Sequence, residues 1–71
     1  MLTAAEKIRM ICKRRKLSLS ALAEKLGSTR QNLSDKLSRD NFTEKEISEI
    51  AAALDCEYEV VFTMKDTGER I

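Results

Sequence analysis

Histidine, proline and tryptophan are all missing from this 71-residue chain. Without histidine, Ser-His and Cys-His nucleophilic catalysis drop out, and so does the commonest metal ligand. The two cysteines, Cys12 and Cys56, lack metal-ligand spacing, so no metal and no cofactor is expected and the chain does not read as an enzyme. In a reducing compartment two such distant cysteines are small buried hydrophobes, the alternative being a disulfide or a redox pair. The lack of proline, with only two glycines, favours helices joined by short connections. No apolar run approaches the ~18 residues of a membrane span, and the N-terminus has no apolar signal core, so the expected location is cytoplasmic with no membrane partner.

What is present is 42% hydrophobic and 35% charged, the balance of a globular chain. A domain this small buries only about 60–65% of its unfolded surface, which makes self-association a natural source of extra stability. The net charge of +1 hides a polar division. Residues 1–39 hold ten Lys/Arg against three Asp/Glu, whereas residues 40–71 hold three against nine. A basic half suits a polyanion and an acidic half is repelled by one, which places any DNA-facing surface in the first half.

Helix starts are easy to find. Thr3-Ala4-Ala5-Glu6 is a capping box, and Ala5, Ile8, Ile11 and Cys12 follow along one face to about residue 15. Lys13-Arg14-Arg15-Lys16 then closes the helix, a cluster open to two compatible explanations, complementing the helix dipole or touching phosphates. Phe42 to Ile47 combines a second capping box, Thr43 with Glu46, and a hydrophobic staple, Phe42 with Ile47. Ile47, Ile50, Ala51 and Leu54 continue at helical spacing and complete the core.

Between these lies the most informative segment, Leu17–Leu37. Ser18 is an N-cap, Leu22, Ala23 and Leu26 form an apolar cluster, and Gly27 stops the helix where φ > 0 is needed. Thr29 caps a further helix extending to about Ser38, with Leu33 and Leu37 inside and Gln31, Asp35 and Ser38 opposite. Its first turn carries Arg30, Gln31 and Asn32, side chains able to read base edges. Two short helices around a tight turn make a helix-turn-helix, which points to DNA. The plainer alternative is a helical packing unit with a solvated first turn.

From Tyr58 the period changes to two. Tyr58, Val60, Phe62 and Met64 alternate with Glu59, Val61 and Thr63, a strand pattern with no second strand to pair with. The simplest partner is the same strand of a second copy, with Tyr58, Val60, Val61, Phe62 and Met64 in the dimer interface. The competing arrangement packs it on its own helices, its edges hydrated or paired to an N-terminal segment. Asp66-Thr67-Gly68 is a turn, and residues 66–71 are expected as a flexible tail after a domain spanning 1–65.

These residues resemble the Cro/repressor-type, or xenobiotic-response-element, helix-turn-helix family of phage and mobile-element regulators, over roughly residues 5–55. The likeness centres on Leu17-Ser18, Leu22 to Gly27, Thr29-Arg30 and Leu33-Ser34. It implies that the helix from Thr29 to Ser38 enters the major groove. Arg30 and Gln31 then match the first base-reading positions and Asp35 a later one, while Thr29 and Asn32 lie near phosphates. Ser18, Ser20, Ser34, Lys36 and Arg39 complete the expected DNA-binding set. Asp35 has three open roles: accepting from cytosine N4, solvating the helix, or pairing with Arg39. The pattern departs in three places. Leu19 stands where the family often has a phosphate-binding glutamine, Ser28 replaces a turn aliphatic, and Lys36 occupies a usually apolar core position that Leu37 takes over.

The expected fold is therefore mostly α, four helices in a repressor-like helix-turn-helix domain with one C-terminal strand paired across a homodimer. The expected function is sequence-specific binding of double-stranded DNA in transcription regulation, with no small-molecule ligand evident. The alternative is a protein-binding helix-turn-helix module, an antitoxin or adaptor.

Overall fold

Each helix of this protein begins on a hydroxyl. The computed structural model describes all of residues 1–71, with α1 (Ala4–Arg14), α2 (Leu19–Lys25), α3 (Arg30–Arg39) and α4 (Glu44–Ala53). Thr3, Ser18, Thr29 and Thr43 precede them in extended conformation. Each accepts a hydrogen bond from the backbone N–H three residues on, at Glu6, Ala21, Asn32 and Glu46. Such a cap satisfies one of the four donors that a helix leaves open at its start. Glu6 and Glu46 return the bond to the threonine N–H, completing both expected capping boxes.

The helix ends follow an equally regular rule. Lys16, Gly27, Asp40 and Asp55 have φ of 55°, 68°, 50° and 57°. In each case the next N–H reaches back to a carbonyl five residues earlier: Leu17 to Cys12, Ser28 to Ala23, Asn41 to Lys36 and Cys56 to Ala51. This closure satisfies the last carbonyls, and it needs a left-handed residue. Glycine supplies it only once. Aspartate tolerates the region better than most residues, whereas Lys16 holds a Cβ there at a cost of about 1–2 kcal/mol.

The core gathers one face from every helix. Ala5, Ile8 and Cys12 come from α1, Leu22 and Ala23 from α2, Leu33 and Leu37 from α3, and Ile50 and Leu54 from α4 and its end. Leu22 has 0% of its surface exposed and Ala23 1%, and α2 packs most extensively on α3. Burial pushes the Cys12 thiol above its usual range, opposed in part by the nearby Arg9 cation, so Cys12 serves as a small hydrophobe. Both cysteines are free, and Cys56 is half-buried.

Polar ties join the helix ends across the core. Ala5 N donates to Asp40 Oδ1 at 2.9 Å, so the residue that ends α3 also caps α1. Arg15 Nη2 donates to Asp55 O at 3.3 Å, so this cation serves the end of α4.

The C-terminal segment departs from expectation. No strand forms over Tyr58–Met64; the only ladder pairing is an isolated antiparallel bridge between Thr63 and Arg70. Residues 56–62 run without turn or bend, and Tyr58 Oη donates to Glu44 Oε1 at 3.3 Å beside the start of α4. Residues 69–71, expected as a tail, return on 62–64. Phe62 and Ile71 exchange two backbone hydrogen bonds of 2.9–3.1 Å, and Met64 N donates to Glu69 O at 2.8 Å. The turn at Asp66-Thr67-Gly68 is present, with Gly68 at φ 77°. So brief a pairing cannot cover the apolar side chains of this segment, and Phe62 and Ile71 remain about 70% exposed.

Two stability changes follow. Leu22→Ala removes a fully buried side chain and should cost about 2–5 kcal/mol in urea unfolding, against less than about 0.5 kcal/mol for Phe62→Ala in dilute protein. Lys16→Gly should raise the unfolding free energy by about 1 kcal/mol if the left-handed cost is fully relieved, seen as a higher urea midpoint at unchanged m.

Candidate nucleic-acid interface

The turn from Lys25 to Arg30 decides how α3 is presented. Gly27 N donates to Glu24 O and Ser28 N to Ala23 O, which folds the chain back over the last turn of α2. Thr29 then starts α3 at once. Because Leu33 and Leu37 are buried against α2, the opposite strip of α3 faces solvent.

Gln31, Asn32, Asp35 and Arg39 lie on that strip, and Thr29 and Arg30 are exposed beside it at the start of α3. The guanidinium of Arg30 makes no hydrogen bond or ion pair within the chain. Gln31 Nε2 donates to Asp35 Oδ1 at 3.1 Å, one helical turn on. Of the three roles open for Asp35, pairing with Arg39 is not realised; the chain's only ion pair lies elsewhere. The Gln31–Asp35 bond was not anticipated, although a glutamine four residues before an aspartate on a helix carries that signal.

The other expected residues are placed differently. Ser34 is half-buried beside the core. Lys36 forms the ion pair, with Glu46 of α4, leaving the lysine side chain 46% exposed. This answers the departure at Lys36: its stem lies over the α3–α4 junction and its ammonium finds a carboxylate instead of the core. Glu46 thus serves twice, capping α4 with one oxygen and holding α3 with the other. Ser18 has its hydroxyl oxygen engaged at the α2 cap, and Ser20 is exposed on the first turn of α2. Of the basic cluster, Lys13, Arg14 and Lys16 are exposed without side-chain partners, and Arg15 is tied to Asp55.

A family model described as the Cro/C1-type HTH DNA-binding domain matches residues 7–65. The chain belongs to that family. The match begins within α1 and runs through the extended segment to residue 65. No curated protein and no solved structure matches the chain. Four short helices of 7–11 residues therefore carry a DNA-binding domain, with the exposed first turn of α3 on the basic half of the chain. No helix is long and apolar enough to cross a membrane.

The Lys36–Glu46 pair should behave as a partly exposed ion pair. Lys36→Gln should lower stability by less than about 1 kcal/mol at low salt. The difference should vanish near ~1 M salt, where the screening length is about 3 Å, and paired urea titrations would show it.

Proposed function

We propose that this Cro/C1-type domain is a sequence-specific transcriptional regulator of the repressor type, encoded by a phage or mobile element and acting in the cytoplasm without catalysis or cofactor. The observation that carries this reading is the free guanidinium of Arg30 beside Gln31 on the exposed first turn of α3. Arginine pairs bidentately with guanine and glutamine with adenine in the major groove. Thr29, Asn32, Ser20 and Ser18 flank them as phosphate contacts, with Ser34 and Arg39 at the margins. Lys36 reaches a phosphate only by leaving Glu46, and Asp35 acts beside Gln31.

Selection from a random duplex pool should recover a shared two-fold-symmetric motif. Arg30→Ala should then relax preference at one base pair and cost roughly 1–3 kcal/mol on the preferred site. Recovery of no motif would favour a protein-binding module, an antitoxin or adaptor, instead. Lys13, Arg14 and Lys16 are the phosphate-binding candidates of the basic cluster. Neutralising them should flatten the salt dependence by about 0.9 log unit for each phosphate that no longer meets a cation, whereas Arg15→Ala should mainly cost stability.

The reading includes a homodimer formed through the extended segment. Residues 57–61 make no backbone hydrogen bond within the chain, and Val60, Phe62 and Met64 are exposed. Phe62 and Met64 turn their backbone groups toward Ile71 and Glu69, which leaves the edge bearing Val61 and Thr63 outward. Antiparallel pairing centred on Val61 would set Glu57 of each copy opposite Lys65 of the other; centring on Glu59 would oppose like charges. Such a two-fold presents two copies of α3 to successive major grooves about 34 Å apart. Sedimentation at micromolar concentration should give twice the chain mass, and Val61→Lys should return the monomer. A parent that stays monomeric with and without DNA overturns the dimer.

A further inference from the structure

We propose that Asp35 determines which base Gln31 accepts, by fixing the orientation of the Gln31 amide without itself contacting DNA. The inference rests on the reading of α3 as the base-reading helix. Its own support is the 3.1 Å bond from Gln31 Nε2 to Asp35 Oδ1.

A glutamine amide has two orientations related by a half-turn about its last bond, one exchanging the positions of Oε1 and Nε2. Against a carboxylate they are unequal. Nε2 supplies a proton to Asp35 Oδ1, while Oε1 in its place would set two acceptors together with no proton between them. The carboxylate therefore selects the orientation in which Nε2 faces Asp35. What Gln31 then presents outward is Oε1 and one remaining Nε2–H, an acceptor beside a donor.

That pair is the complement of adenine, whose N6 amino group donates and whose N7 accepts. Guanine offers only the acceptors O6 and N7 on the same edge, so it would meet one donor and one opposing oxygen. The Asp35 charge behind Gln31 adds repulsion toward the same two guanine acceptors. Guanine reading is left to Arg30, the neighbouring side chain that no carboxylate engages. The geometry also accounts for an acidic residue on a surface meant for a polyanion: its charge cost toward phosphate is exchanged for selectivity at one base pair.

The test measures binding of the protein to its selected duplex and to duplexes changed one base pair at a time. Gln31→Ala first identifies the base pair that Gln31 reads, as the one whose preference is lost. There the parent should favour adenine over guanine by about tenfold or more. Asp35→Ala should shrink that preference to about twofold at the same base pair and leave the others intact. Asp35→Asn adds a donor that Oε1 can accept, so either amide orientation is served and the preference should shrink much as in Asp35→Ala. The double variant Gln31→Ala, Asp35→Ala should be no less selective there than Gln31→Ala alone. An Asp35→Ala change at a different base pair would make Asp35 a direct reader and overturn the proposal. So would unchanged preferences throughout, or an Asp35→Asn variant that keeps the parent's full adenine preference. A parent with no base preference anywhere would overturn the sequence-specific reading of α3, and this inference with it.

Discussion

The packing of α2 on α3 is the constraint on which the rest of the structure depends. Leu22 and Ala23 are wholly enclosed, and the small side chain at Ala23 lets a second helix cross close by. Gly27, at φ 68°, turns the chain within the few residues that separate the two helices. Thr29 caps α3 immediately afterwards, which sets its starting direction. Once Leu33 and Leu37 are sunk against α2, the exposure of Gln31 and Asp35 follows from the helical repeat. The orientation of the exposed strip of α3 is therefore a consequence of core packing, and a loss of packing at Leu22 would reach it.

With nine residues in its main buried cluster, the domain also relies on polar ties at its rim. Asp40 joins the end of α3 to the start of α1, Lys36 joins the middle of α3 to α4, and Arg15 joins the end of α1 to the end of α4. Each is exposed or partly so and individually modest. Two of the three act on α3, restraining its rotation about its own axis. They also consume cations. Arg15 and Lys36 are engaged by the fold, so the basic excess of the first 39 residues overstates the charge free to meet phosphate.

The extended C-terminal segment is the place where local preference and available partners disagree. Its first residues line an apolar groove of about 620 Å³ with α1 and α4, and its last residues pair briefly with the chain end. The backbone of 57–61 makes no hydrogen bond within the chain, and Val60 is 53% exposed. A β-patterned segment with an apolar side chain at every other position here keeps a free edge, with its backbone groups unpaired within the chain.

The amino-acid sequence alone determined what neighbours within four residues can settle. The hydroxyl caps at Thr3, Ser18, Thr29 and Thr43, both capping boxes, and the apolar stripes of all four helices were legible, since cap geometry and helical periodicity are local. Helix ends were less so, because only Gly27 advertises the left-handed conformation that Lys16, Asp40 and Asp55 also adopt. The tertiary structure decided everything that needed a distant partner. Asp40 became a cap for Ala5 thirty-five residues away, and Lys36 exchanged a core position for Glu46. The period-two segment found only Arg70 across from Thr63 instead of a full strand. A strand, unlike a helix, satisfies its backbone through residues elsewhere, and so its existence is set by what the fold brings beside it.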